Sequence, residues 1–382
     1  MIRDPERQAR LIADIRRFVR ELAIPNEDRV ERENAMPAEL VDAMRKLGSF
    51  GWSIPEEYGG AALTTEELAG AFMELSRASV AFRVIGATNA GIGSQSIIED
   101  GSEAQKEKYL PKLASGEIYG CLALTEPEAG SDATSLQATA RRTSEGWILD
   151  GEKRYITMAP LAHLFTVFAR TDPGNKGAGG VSAFLVERGT PGLTVKGPTP
   201  MMGQEGAPIG EVFLRDCRIP ASALLGKEGE GFRTVMKTLN KQRVNLASLC
   251  TGPAIRMLDE ALAYVRERRQ FGAEIGTFQL VQAMLADCKV EIEAARALIL
   301  ETARKRDRGE DVALEVSMCK YYATEMCGRV ADRVVQIFGG QGYVKGRGIE
   351  RFYRDVRAFR IYEGTSQIHQ LNIAKLLLKK RG

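Results

Sequence analysis

The sequence predicts a mainly α protein with a small β domain set into its middle. Three observations predict it. Apolar residues recur with a helical period over 1–120. Short segments rich in β-branched and aromatic residues, parted by Gly, Pro and Asp, fill 121–230. The helical period then returns at Gly231 and lasts to the end. A chain of 382 residues is long for one core, so two or three packed subdomains are expected. The pattern divides them as an N-terminal helical domain (1–120), a middle β domain (121–230) and a C-terminal helical bundle (231–382).

Taken in order, the first element is an amphipathic helix. Leu11, Ile12, Ile15, Phe18, Val19 and Leu22 share one face. Its arginines are offset by Asp4, Glu6 and Asp14, and it has no apolar signal-peptide core. Thr64 and Glu67 stand in capping-box spacing, and Ser102 is the expected N-cap of the helix in "SEAQKEKYLPKLASGE". In the middle, "GWILDGEKRYIT", "LFTVFAR", "VSAFLVER", "LTVKG" and "GEVFLRDCRIP" read as strands of an antiparallel sheet, with a hairpin turn at 149–151. In the last third, Leu280, Val281, Met284, Leu285 and Cys288 fall on one face of a long bundle helix. Pro253 should kink the helix before it.

Composition excludes several function classes. Lys and Arg number 53 against 50 Asp and Glu, giving a net charge of +3, and the two signs are interspersed, so no nucleic-acid-binding face is expected. No apolar run is long enough to cross a membrane. The six cysteines form no CxxC pair and only two histidines are present, so no metal site is expected. Scattered thiols of this kind read as small buried hydrophobes in a reducing, cytoplasmic compartment. His369 reads as a surface or interface residue.

Four stretches carry chemistry, each with an ordinary alternative. "LALTEPEAGSDATS" (122–135) offers backbone N–H groups and hydroxyls to a planar polar ligand, or is a connecting loop. In "GEKRYIT", Tyr155 and Thr157 share a strand face that would serve the same ligand, or belong to a plain amphipathic strand. "RRQFG" (268–272) and "FQLVQ" (278–282) place an arginine and glutamines to meet a pyrophosphate and adenosine, or close a helix at Gly272. "QIFGGQGYVKGRGIERF" contains GxGxxG-like glycines after a helix rather than a strand, so a Rossmann reading is poor and a flexible loop is the alternative.

"LTEPEAGSD", "GEKRYIT", "RRQFG", "QIFGGQGY", "RDVR" and "IYEGTSQI", in this order and approximate spacing, resemble the acyl-CoA dehydrogenase family over nearly the whole chain. The resemblance implies a helical domain, a β-barrel or sheet domain and a four-helix bundle, assembled as a homotetramer (a dimer of dimers). It implies FAD as cofactor, an acyl-CoA substrate and an electron-transfer flavoprotein as acceptor, with an acyl-CoA oxidase or another flavoprotein on the same fold as the alternative. It implies that Glu363 removes the α-proton of the thioester while hydride leaves the β-carbon. Thr125, Ser131, Tyr155, Thr157, Thr365 and Gln367 are then expected at the flavin and its phosphates. Arg268, Phe271, Gln279, Gln336 and Gly340 are expected at the ADP part of a neighbouring subunit's FAD. Asn240, Arg243, Ser131 and Gly364 are expected at the substrate, where the Glu363 N–H would hold the thioester oxygen.

Four positions depart from the family pattern. Tyr155 stands where tryptophan is usual. Gly346 and Gly348 replace an acid and a proline. Gln242 occupies the position from which some relatives supply the base, and it cannot ionise. Arg83, in "ASVAFRVIGATNAGIG", resembles an arginine that meets the distal carboxylate in glutaryl-CoA dehydrogenase. It is expected either to recognise a short acyl chain with an anionic end, or to pair with an acid such as Glu74 or Glu99.

Overall fold

The computed structural model describes residues 1–379. Seven helices come first: α1 (Pro5–Phe18), α2 (Ile24–Glu33), α3 (Ala38–Lys46), α4 (Thr65–Leu75), α5 (Val80–Ala87), α6 (Gln95–Asp100) and α7 (Glu103–Ser115). Asp4 caps α1 and Pro5 follows at its first position. The Thr64–Glu67 capping box forms as expected, and Ser102 closes a second one with Gln105. The α1 face differs from the expected stripe at one residue. A π turn at Val19–Ala23 joins α1 to α2. The extra residue in that turn advances the helix face, so Leu22 is left exposed while Ile15, Phe18 and Val19 are buried.

Eight strands follow: β1 (Gly120–Ala123), β2 (Thr139–Arg142), β3 (Gly146–Thr157), β4 (Leu164–Arg170), β5 (Val181–Glu187), β6 (Leu193–Lys196), β7 (Ile209–Pro220) and β8 (Leu224–Leu225). They form one sheet in the order β6-β7-β3-β2-β4-β5-β8, with β1 on β4. The sheet is mixed, not purely antiparallel, because β1 and β2 both pair with β4 in parallel. The turn expected at 149–151 is also absent. β3 runs straight through it against β7 with a bulge between Leu149 and Gly151. A glycine is required there because a Cβ on residue 151 would stand 2.5 Å from the Ala138 methyl.

The remaining elements are α8 (Gly231–Glu267), the short strands β9 (Arg269–Gln270) and β10 (Ala273–Glu274), α9 (Gln279–Asp307), α10 (Ala313–Phe338), α11 (Gly340–Tyr343), α12 (Ile349–Val356) and α13 (Ser366–Leu378). The helix does not break at Pro253; α8 continues through it for 37 residues. Leu280 departs from the expected face of α9 and is 82% exposed, whereas Cys288 is fully buried. All six cysteines are buried and free. Among the described residues no helix is long and apolar enough to cross a membrane.

The two helical parts share one core, running from Ile15 and Phe18 through Phe72 and Phe82 to Cys250, Met326 and Phe359. The sheet has its own core around Trp147, Phe165 and Val212. A third cluster joins Ile97 and Leu110 to Phe168, Val181 and Val235, where helices meet sheet. An ionic network also fastens the parts together. Arg351, its side chain 4% exposed, lies 2.8 Å from Glu31 and 3.5 Å from Glu27, and it pairs with Asp28. Arg354 reaches Glu205 at 2.9 Å and Glu350 at 2.9 Å. This places α2, the loop after β6 and α12 in one charge cluster beside the turn that follows α12.

Candidate active site

That turn carries "IYEGTS". Glu363 and Gly364 both have left-handed backbone, φ 54° and 94°. The conformation is costly for a glutamate and free for a glycine. Thr365 then caps α13, its hydroxyl accepting from Ile368 N–H at 3.3 Å. The strained pair is held from two sides. Lys320, in the buried face of α10, donates to the Gly364 carbonyl at 2.6 Å. His369, one turn into α13, lies 3.2 Å through Nε2 from the Glu363 carbonyl. His369 is therefore fully buried rather than a surface residue, because the turn folds back over its ring.

The Glu363 carboxylate is the unusual group. Its Oε2 is buried and has no hydrogen-bond partner. Burial raises its pKa above the ordinary carboxylate value, and Arg83, Lys320 and Arg243 act against that rise. The Glu363 N–H has no acceptor among the described residues. Arg243, on α8, donates to Asn240 at 2.9 Å and keeps a buried Nε without a partner. Arg83, on α5, lies over the rings of Phe359 and Tyr362, 5.4 and 5.7 Å from their centroids. It donates to the Tyr362 hydroxyl, and its Nε is likewise buried and unpartnered.

The acids proposed to neutralise Arg83 are engaged elsewhere. Glu74 pairs with Arg16 at 2.7 Å and Arg77 at 3.6 Å, and Glu99 with Lys241. Gln242 turns its Oε1 toward Gly91 and Asn245 and leaves Nε2 buried and free. Arg83 and Arg243, each with an unpartnered buried Nε, are two of the cations that act on Glu363, whose own Oε2 and N–H are without partners. Natural cores rarely leave such groups unpaired without a reason.

The β domain contributes a shaped loop. Thr125 and Ser131 lie in the segment after β1, and Tyr155 and Thr157 at the end of β3. The two segments are tied together. Arg154 N–H donates to the Thr125 carbonyl at 2.8 Å. Beneath them Lys153, fully buried, lies 2.7 Å from Glu126 and donates to the Leu124 carbonyl at 3.2 Å. The Glu126 carboxylate also accepts from Gln137 N–H at 2.6 Å and Ala138 N–H at 3.0 Å. Burial lowers the Lys153 pKa to about 8. Tyr155 sits at the second bulge of β3, with φ 58° and 60% exposure, so its ring stands out from the sheet.

A third region lies on the bundle surface. Arg268 and Gly340 line an open cavity of about 750 Å³ with Tyr264, Gln341, Lys345 and Arg347. Gln341 Oε1 is buried there without a partner. The expected helix end at Gly272 is instead a turn between β9 and β10, with φ 53° at Phe271 and 78° at Gly272. It holds Phe271 96% exposed. Gln279, Gln336 and Gln367 are exposed and do not line the cavity. One chain therefore gathers Glu363, Gly364, Arg83, Asn240 and Arg243 into one centre, and leaves Arg268, Phe271 and Gly340 on a separate open face. Lys320, Glu126 and Lys153 were not singled out from sequence, and His369 was read as a surface or interface residue. The available signal for Lys320 was a lysine on an otherwise apolar helix face, with Val316, Ala323 and Cys327.

Comparison with known proteins matches three family models in succession: acyl-CoA dehydrogenase N-terminal domain at 5–117, middle domain at 121–217 and C-terminal domain at 229–378. The chain is 39% identical to an acyl-CoA dehydrogenase of Bacillus subtilis over 364 residues, 95% of this chain and 96% of that one. It is 38% identical over 353 residues to the caffeyl-CoA reductase-Etf complex subunit CarC of Acetobacterium woodii, 92% of this chain and 93% of that one. The solved structure of a glutaryl-coenzyme A dehydrogenase glutaryl-CoA complex superposes with a TM-score of 0.93 at 37% identity, covering 100% of this chain and 98% of that one.

Proposed function

Because the chain belongs to the acyl-CoA dehydrogenase family, we propose that it oxidises the Cα–Cβ bond of a short acyl-CoA thioester to the trans-2-enoyl-CoA, with Glu363 as the base. The observation that carries this is the buried, unpartnered Glu363 Oε2. A carboxylate without hydrogen bonds is poorly solvated, and so is a stronger base than one in water. The unengaged Glu363 N–H supports a role at the thioester oxygen, where a donor stabilises the charge that develops as the α-proton leaves. Gln242 cannot compete as a base. FAD, when bound, supplies the acceptor for the β-hydride.

The residues present fit FAD. The loop fixed by the Lys153–Glu126 pair offers Thr125 and Ser131 beside Tyr155 and Thr157, and Thr365 and Gln367 follow the base. The open cavity of Arg268 and Gly340, with its unpartnered Gln341 Oε1, suits the ADP part. Its separation from Glu363 supports cofactor sites completed by a second chain in a homotetramer, with Phe271, Gln279 and Gln336 at the contact. Arg268→Ala is expected to lower the FAD retained per chain after gel filtration, read from the flavin-to-protein absorbance ratio; an unchanged ratio counts against this assignment.

The substrate's far end is assigned to Arg83. A partly buried guanidinium with no carboxylate within ion-pair distance among the described residues suits a ligand that brings one. The short acyl chain therefore carries an anionic tail, as glutaryl-CoA does. In Arg83→Ala, kcat/KM for glutaryl-CoA should fall about 10- to 100-fold, the range expected for a hydrogen bond to a charged group, while butyryl-CoA changes by less than about threefold. An equal loss on glutaryl-, butyryl- and octanoyl-CoA would refute the tail assignment.

Electron-transfer flavoprotein is the proposed acceptor, supported by the Acetobacterium relative, a subunit of a caffeyl-CoA reductase-Etf complex. Steady peroxide production in air would favour an oxidase instead. That relative is also named a reductase, and the raised pKa of Glu363 suits the reverse direction equally, because the protonated acid would deliver the α-proton. Six buried free thiols fit a cytoplasmic setting.

A further inference from the structure

Among the described residues the left-handed turn at Glu363 and Gly364 has no backbone partner to hold it. Its two carbonyls are instead taken by two buried side chains from different helices, Lys320 of α10 at 2.6 Å and His369 of α13 at 3.2 Å. Both side chains are fully buried. Ser366, next on the chain, donates to Glu325 of α10 at 2.6 Å and draws the turn toward the same helix. A Cβ on residue 364 would stand 3.1 Å from His369 Nε2, so Gly364 is what lets the imidazole reach the carbonyl behind it.

We propose that Lys320 and His369 are positioning residues: by clamping two successive carbonyls they aim the Glu363 carboxylate and its N–H at one reacting centre. The inference rests on Glu363 being the base. A backbone in this conformation relaxes readily once its partners go: the peptide planes that follow Glu363 and Gly364 then rotate, and the Glu363 Cα, which bears both the carboxylate and the N–H, shifts with them. General-base and oxyanion geometry are both lost with small displacements.

The clamp has an electrostatic consequence as well. Glu363 is faced by Arg83 from α5, by Arg243 and Cys250 from α8, by Lys320 from α10 and by His369 from α13, with Tyr362 beside it in the turn. Lys320 in turn faces Cys250, Arg243 and Glu325. Burial lowers the His369 pKa to about 3, so the imidazole stays neutral over the working range and contributes only its hydrogen bond. The Lys320 ammonium contributes charge too, opposing the rise of the Glu363 pKa.

The two members therefore give different signatures. Lys320→Met should lower kcat about tenfold or more with KM nearly unchanged, and should move the acid limb of the pH–rate profile to higher pH. Lys320→Arg should keep the limb near its original position while kcat stays reduced. His369→Leu should lower kcat without moving the limb, and His369→Gln, which retains a donor, should recover part of it. Backbone amide exchange across 361–371 of each holoenzyme should be faster than in the wild type. FAD content reports folding, and if Lys320→Met fails to load FAD the two His369 variants decide. Folded variants with wild-type kcat, pH limb and amide exchange would overturn the clamp. Glu363→Gln run in parallel separates the two failures: if it is inactive while the clamp variants behave as wild type, only the clamp is wrong; if it turns over normally, the base assignment falls and the clamp with it.

Discussion

Glu363→Gln is expected to lose about 10²- to 10⁴-fold in kcat, the range that a positioned general base contributes. The amide keeps the shape of the side chain, the left-handed turn and both clamped carbonyls, so FAD content and acyl-CoA binding should persist. Exchange of the substrate's α-proton with solvent should fall with turnover, since both need the same group. The wild-type pH profile carries the matching signature. A base acts when deprotonated, and burial raises the pKa of Glu363 above its ordinary value of 4.5. Activity should therefore rise with pH along a limb lying above that value. A limb at or below 4.5, or near-normal turnover in the amide variant, would show that another group takes the proton.

Lys153→Met has the second large expected effect, and it falls on stability. Lys153 is fully buried, and its removal leaves the Glu126 carboxylate, 5% exposed, without its cation. Breaking a buried pair from one side costs about 3–5 kcal/mol, because the remaining charge is stranded. Glu126 holds the backbone at Gln137 and Ala138, and Lys153 holds Leu124, so the loop of Thr125 and Ser131 loses its anchor at both ends. Denaturant titration should show the loss of stability, and FAD should dissociate at lower denaturant than in the wild type. The double variant Glu126→Gln with Lys153→Met should be less damaged than the single one, because no charge is left buried. A single variant as stable as the wild type would mean that the pair is not what shapes the loop.

Much of this arrangement was legible in the sequence, and what was not has a common cause. The helix caps at Thr64 and Ser102 depend on residues three apart, so they could be read directly. The order of helices, sheet and helices follows from local periodicity. Glu363, Arg243 and Arg83 were legible because they sit in short recognisable motifs. By contrast, the mixed strand pairing, the bulge at Gly151 and the exposure of Leu22 depend on partners or turns that no local pattern specifies. The same holds for Lys320, which meets a carbonyl 44 positions away. His369 looked like a surface residue because nothing in "SQIHQL" shows that the preceding turn folds over its ring. That Glu74 and Glu99 pair with other residues and not with Arg83 is likewise something only the packed structure reveals.

The left-handed backbone of Glu363 has a consequence for how this position evolves. A glutamate at φ 54° bears steric strain that a glycine would not. It also buries a carboxylate whose folded-state pKa is raised, so the folded form binds the proton more tightly than the unfolded one. Stability therefore falls as pH rises through that window, and at neutral pH the residue weakens the fold through both side chain and backbone. A lineage released from the need for this chemistry would gain by replacing Glu363, and drift at residue 363 with the surrounding core intact would be an early mark of lost activity. With Glu363 as the proposed base, its retention in a chain under selection would mean that the reaction, not the architecture, maintains it.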